Sequence, residues 1–161
     1  MDPVRHTYRC RLSATWGTGA PEGLTMWPGT GGEDDVLGLL MEEAYAGTID
    51  EQLGDNTDGA VEIANWREFV ADEACSRIAR TLDGETVGAS LVGRWEDTVF
   101  IAYVITLPAW KRRGVGAAVL AASLRALRDA GDEQVEATIT EGNESSERLF
   151  ARLGFRRVEG A

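Results

Sequence analysis

Apolar positions along the chain recur with two periods, and the switches between them divide it into elements. Residues 8–13 alternate and predict a short strand. Residues 16–21, with two glycines and a proline, predict a turn, and 24–27 a second short strand stopped by Pro28-Gly29. Over 36–46, Val36, Leu39, Leu40 and Tyr45 stand among acidic residues and predict a helix. The stretch 47–58 is polar and acidic. Asp58 is placed to cap a helix over 60–70, whose apolar residues are Val61, Ile63, Ala64, Trp66 and Phe69. Three strands follow, 75–82, 86–95 and 98–107, the first two joined by Asp83-Gly84, a hairpin turn. The third is nearly all apolar, as a central strand covered on both faces would be. A helix over 115–130 ends at Gly131, a strand spans 134–140, a helix begins at Asn143, and 155–158 is a last strand. No repeat, low-complexity run or linker interrupts this order. It predicts a single domain, 1–161, of mixed α/β type, with 1–20 as an added N-terminal strand and turn.

Composition narrows the class. The chain has 161 residues, of which 43% are hydrophobic, enough for one sizeable core. No apolar run approaches the roughly 18 residues of a membrane helix, and residues 1–6 hold no apolar signal core. A cytoplasmic protein without a membrane partner is expected. The net charge of −11 argues against nucleic acid, whose binders are normally basic. Cys10 and Cys75 read as free thiols. His6 lies near a frayed end, so histidine triads and metal sites are not expected.

The chemistry concentrates in residues 104–120, VITLPAWKRRGVGAAVL. An apolar strand turns at Pro108, passes three cations and two glycines, and becomes an Ala/Leu-rich helix. Glycines let backbone approach a ligand, and a helix start offers unpaired N–H groups and the positive end of a dipole. This is a recipe for a pyrophosphate. The nucleotide-hydrolase loop needs Gly-Lys-Ser/Thr, which is missing. The dinucleotide fingerprint needs a small residue where Val119 stands, and an early βαβ unit. The pattern Pro-x-x-[Gln/Arg/Lys]-x-x-Gly-x-Gly-Ala is met by Pro108, Lys111, Gly114, Gly116 and Ala117. Downstream, Asn143, Ser146, Leu149, Phe150, Gly154 and Phe155 meet a second pattern, Asn-x-x-[Ala/Ser]-x-x-Leu-[Tyr/Phe]-x-x-x-Gly-Phe. Physically that segment is a capped amphipathic helix with a glycine stop.

The two motifs together resemble those of the GCN5-related N-acetyltransferases. The resemblance covers the last third of the chain and implies the acyl-CoA N-acyltransferase fold. That fold has a mixed, mostly antiparallel sheet, one splayed parallel strand pair and helices on both faces. It implies acetyl-CoA as co-substrate, with the backbone of Val104, Ile105 and Thr106 along its pantetheine arm. Arg112, Arg113, Gly114, Val115, Gly116 and Ala117 would cradle its pyrophosphate, and Asn143 would reach the pantetheine. No metal is implied. The family's usual last strand is missing after 155–158, which leaves a sheet edge to be covered by the N-terminal strand or by a partner chain in a homodimer.

The catalytic residues stay unassigned. Phe150 stands where many relatives place a tyrosine acid, Thr138 where some place a glutamate, and Phe100, Ile101 and Ala102 offer no carboxylate on the central strand. Tyr103 is the candidate that remains, with Tyr45, Glu136 and Glu141 nearby. The acceptor implied is a small-molecule or peptide amine. In the family it lies beside the segment between the first two helices, here acidic, which makes Asp50 and Glu51 candidates to attract it. An N-acetyltransferase is thus expected, and a non-catalytic acyl-CoA binding module is the alternative.

Overall fold

The computed structural model describes residues 4–13, 15–17, 20–48 and 58–158. Among them run β1 (Arg5–Arg11), β2 (Leu24–Pro28), α1 (Asp34–Tyr45), α2 (Gly59–Phe69), β3 (Arg77–Thr81), β4 (Thr86–Trp95) and β5 (Thr98–Thr106). A 3-10 turn at Pro108–Trp110 leads to α3 (Val115–Asp129), followed by β6 (Gln134–Thr140), α4 (Glu144–Arg152) and β7 (Arg156–Arg157). The strands form one sheet in the order β2-β3-β4-β5-β6-β1-β7. Every neighbouring pair in it is antiparallel except β5–β6. The expected mixed, mostly antiparallel architecture is therefore present.

Helices cover both faces. On one, α1 and α2 bury Leu37, Leu40, Met41, Ile63 and Trp66 against Ile78, Ala89, Leu91 and Ile105. On the other, α3 and α4 bury Leu120, Leu124, Leu127 and Phe150 against Val92, Ile101, Val135 and Ile139. Both expected helices form, and packing selects which of their apolar residues are buried. The buried stripe of α1 is Leu37, Leu40, Met41 and Ala44, at i, i+3, i+4, i+7, while Val36 and Leu39 face solvent. On α2, Ile63 and Trp66 are buried, but Val61, Ala64 and Phe69 are exposed. β5 is the middle strand, as expected, with Val99 and Ile101 in one core and Ile105 in the other. β4 beside it is the more fully covered, buried from Val87 to Gly93, while 102–104 of β5 are half-buried.

The cap at Asp58 forms as expected, its Oδ1 accepting from the Val61 N–H at 3.1 Å. α2 then crosses α1 at a glycine pair. A Cβ on Gly59 would lie 1.9 Å from the Gly38 carbonyl oxygen, so only glycine permits the approach. β1 lies between β6 and β7, with Arg5 opposite Thr140 and Arg11 opposite Gln134. The N-terminal strand thus occupies the edge of β6, and His6 is a paired strand residue opposite Ile139 rather than part of a frayed end. No described helix is long and apolar enough to cross a membrane.

Candidate active site

β5 and β6 pair at only two positions, Phe100 with Glu136 and Ile101 with Ala137. The next residue of β5 is the cause. Leu91 opposes Tyr103 and Val92 opposes Ile101, so Ala102 is an extra residue, a bulge against β4. A bulge bends its own strand. From Ala102 onward β5 therefore leaves β6, and no described strand pairs with the backbone of 104–106 on that side.

Three cavities follow one another along β5. The first, of about 390 Å³, lies between the glycine loop and α4. The second, of about 280 Å³, fills the gap between the strands. The third, of about 600 Å³, opens beyond the bulge against α2. Tyr45, Val104, Asn143 and Ser146 border both of the first two. Glu62, Ile101, Ala102, Tyr103 and Thr138 border both of the last two. They form one trench, with the bulge where the second and third cavities meet.

The glycine end is built from backbone. Gly114 caps α3 with φ of 82° and no side-chain cap, a conformation that favours glycine. Arg112 also takes a left-handed φ, of 66°. The first hydrogen bond of α3 runs from the Ala118 N–H to the Gly114 carbonyl, so the N–H groups before it have no partner within the helix. Gly116 lies against Thr106 and Leu149, where a Cβ would make ordinary contacts at 3.5 Å and anything longer would enter the cavity. The cations are not equivalent. Lys111 donates to the Ala44 carbonyl at the end of α1, 3.1 Å away. Arg113 stacks on Trp110, 4.5 Å from the ring centroid. Arg112 lines the cavity. Asn143 caps α4, its Oδ1 accepting from the Ser146 N–H at 3.2 Å.

The far end is built from side chains. α2 presents Glu62, Asn65, Trp66 and Phe69 to the third cavity, at i, i+3, i+4, i+7, hence one face. Two contacts fix that face. The Trp66 indole donates to the Val92 carbonyl at 2.9 Å. Arg67 pairs with Asp34 at 2.6 Å and with Glu73 at 3.0 Å, and donates to the Gly29 carbonyl at 2.7 Å. Opposite stand Phe100 and Tyr103 of β5 and Glu136 and Thr138 of β6. The Tyr103 hydroxyl donates to Glu62 Oε2 at 2.5 Å, where the second and third cavities meet.

Most residues singled out from sequence converge on the trench. Val104, Thr106, Arg112, Gly114, Val115, Gly116, Ala117 and Asn143 line its glycine end. Two do not. Ile105 is a core residue, 1% exposed, which leaves it only a backbone role, and Arg113 is turned onto Trp110. Thr138 and Phe150 line the middle cavity. Phe150 meets Phe155 edge to face at 4.9 Å, so it is packing and not chemistry. Asp50 and Glu51 lie outside the described residues. Sequence reasoning passed over Glu62 and Asn65. The available signal was a carboxylate and an amide on the same helical stripe as two aromatic residues. Among the described residues no group of three or more His, Cys, Asp or Glu side chains is placed to hold a metal.

Comparison with known proteins agrees with this geometry. Residues 39–155 match the Acetyltransferase (GNAT) family. A mycothiol acetyltransferase of Nocardiopsis dassonvillei is 35% identical over 99 residues, 61% of this chain and 25% of that protein. A GCN5-related N-acetyltransferase from Sphaerobacter thermophilus superposes with a TM-score of 0.74 at 22% identity, over 97% of this chain and 49% of that one. The yncA protein of Salmonella typhimurium, solved with its cofactor acetyl-CoA, gives 0.66 at 20% identity, over 84% and 80%. The chain thus spans a quarter of the curated relative and half of the first structural one. The bulge-split parallel pair, the glycine-started α3 and the asparagine-capped α4 all fall within the matched residues, and the chain belongs to the acetyltransferase (GNAT) family.

Proposed function

We propose that this chain transfers an acetyl group from acetyl-CoA directly to a primary amine, both bound at once in the trench. One observation carries the reading. The splay that begins at Ala102 leaves a trench that runs from the glycine-loop cavity, suited to a pyrophosphate and an extended arm, to a separate cavity against α2, suited to an acceptor. The pyrophosphate sits at the N–H groups of 114–117 with Arg112 beside it. The pantetheine arm lies along 104–106 as an added strand would, and the thioester reaches the bulge. There the amine nitrogen attacks the carbonyl carbon, a backbone N–H near the bulge polarises the carbonyl oxygen, and coenzyme A leaves as the thiol. Holding both reactants in line supplies much of the acceleration. Two buried free thiols, Cys10 and Cys75, suit a reducing, cytoplasmic setting.

A second reading, an acyl-CoA binding module without turnover, is favoured by the phenylalanine at position 150. The deciding experiment is thiol release from acetyl-CoA with a panel of primary amines. Amine-dependent release with formation of the acetamide supports transfer. Saturable acetyl-CoA binding with no release supports the module.

A further inference from the structure

The third cavity has an uneven charge pattern. Its described lining holds two carboxylates, Glu62 and Glu136, and no Lys, Arg or His. Glu136 is already neutralised. Arg9 of β1 reaches it through Nη2 at 2.6 Å and Nε at 3.1 Å. Glu62 accepts a hydroxyl, that of Tyr103, and no described cation pairs with it. A carboxylate has about four acceptor sites, so Glu62 retains capacity for an ammonium. Around it the wall is aromatic: Trp66, Phe69, Phe100 and Tyr103.

We propose that the acceptor is a monoamine with a single aromatic or similarly sized apolar body, its amino group at Glu62 and its body among Trp66, Phe69 and Phe100. The inference rests on the acetyl-transfer reading and names its acceptor. One unneutralised carboxylate accommodates one positive charge, and aromatic faces add to the attraction of a cation beside them. A second ammonium on the same molecule would be desolvated against an apolar wall without a partner, which is costly. A sugar would find polar partners in Asn65, Thr98, Glu136 and Thr138, but would set the rest of its hydroxyl-bearing surface against the aromatic side chains. The cavity's volume of about 600 Å³ is of the size that small ligands fill.

The chemistry balances at this position. The ammonium gives one proton to the Glu62 carboxylate, and the freed lone pair forms the C–N bond while the carbonyl π pair moves to oxygen. The tetrahedral adduct collapses, the C–S bond breaks, and the sulfur leaves with its electron pair. The second nitrogen proton goes to water. The thiolate takes the Tyr103 phenolic proton, which Glu62 replaces along their hydrogen bond. Overall the ammonium and thioester give the amide, the thiol and one proton.

The test uses the whole chain saturated with coenzyme A, and measures calorimetric binding of phenethylamine, tryptamine, butane-1,4-diamine and glucosamine. Turnover of each with acetyl-CoA is measured alongside. The arylalkyl amines are expected to bind and react about tenfold or more better than the diamine and the amino sugar, the effect of burying one ring. Phe69→Ala should cut that preference severalfold. Because Phe69 is 62% exposed, this truncation leaves the core whole. Glu62→Gln should weaken binding of every amine about tenfold or more and leave the affinity for coenzyme A unchanged. A preference for the diamine or the sugar overturns the proposal, as does Phe69→Ala with an unaltered preference. If phenethylamine binds selectively but no amine is acetylated, the transfer reading fails and the amine site stands. If no amine binds while coenzyme A does, the amine site fails.

Discussion

The two ends of the trench are made of different material. At the glycine end, the chain offers backbone groups, the N–H groups before the first hydrogen bond of α3 and the edge of β5 over 104–106, beside side chains such as Arg112 and Leu149. At the far end it offers side chains from α2, β5 and β6, held by Trp66 and Arg67. A backbone-made site needs particular residues at fixed local spacing, because glycine and helix starts do the work. A side-chain-made site needs only that three distant segments meet. The first tolerates little change in residue size, and the second can change its ligand by single substitutions.

The largest expected effect breaks the backbone end alone. At Gly116 a Cβ fits at 3.5 Å, so the protein folds with a larger residue, which then fills the cavity. Gly116→Glu should weaken coenzyme A binding about 100-fold or more, roughly 2.7 kcal/mol, with the thermal midpoint nearly unchanged. Normal calorimetric affinity in the folded variant would remove the coenzyme from this end.

The next effect shows where the side-chain end depends on backbone. Gly59 and Gly38 touch so closely that a Cβ at 59 overlaps a carbonyl oxygen. Gly59→Ala must push α2 off α1 and should cost about 1–3 kcal/mol in urea unfolding. Since Glu62 and Trp66 ride on α2, amine turnover should fall more than coenzyme A affinity does. Equal losses in both would mean that the two ends are not separable.

A third, smaller effect tests a side chain that shapes the glycine end. Asn143 caps α4 through the Ser146 N–H. Asn143→Ala should lower stability by about 1 kcal/mol, and Asn143→Asp, which keeps the cap, should restore it. If Asp fails to restore stability, the cap is not what Asn143 contributes.

The same division explains what the sequence made legible. Gly114, Gly116 and the Asn143 cap stand out because their conformational needs are local, and nearly the whole glycine end follows from them. Element order followed from the switches in apolar period, and the sheet type from the resemblance that the two motifs carry. What the sequence left open shares a physical cause. Val36 and Leu39 are apolar but off the 37/40/41/44 stripe, and only the partner surface decides which stripe is buried. Ala102 carries no mark of a bulge, since the register shift arises between β4 and β5. The insertion of β1 between β6 and β7 is equally non-local. Glu62 looks like any carboxylate on an exposed helix until Tyr103, 41 residues on, donates to it.

The smallest expected effect is a control at residues that do not line the trench. Arg94 of β4 pairs with Asp132, just after α3, and with Asp72, each at 2.8 Å. Hydrogen bonds from Arg94 hold the Asp132 carboxyl below its ordinary value, against the opposing pull of desolvation. Arg94 is itself 42% exposed, so solvent screens the pair and its worth is under about 1 kcal/mol. The sign follows from linkage. A carboxyl whose folded pKa is depressed binds its proton more readily unfolded, so its stabilisation is present above the ordinary value, about pH 4, and is lost as pH falls through the folded one. Asp132→Asn should therefore be less stable than the parent at pH 7, with the gap closing below about pH 4 and shrinking in high salt. Urea midpoints of the two proteins across pH 2.5–7 check this. A gap that stays constant, or widens toward acid, would refute the pairing. Because Asp132 touches neither end of the trench, coenzyme A and amine affinities at pH 7 should both be unchanged, the outcome that separates loss of fold stability from loss of site.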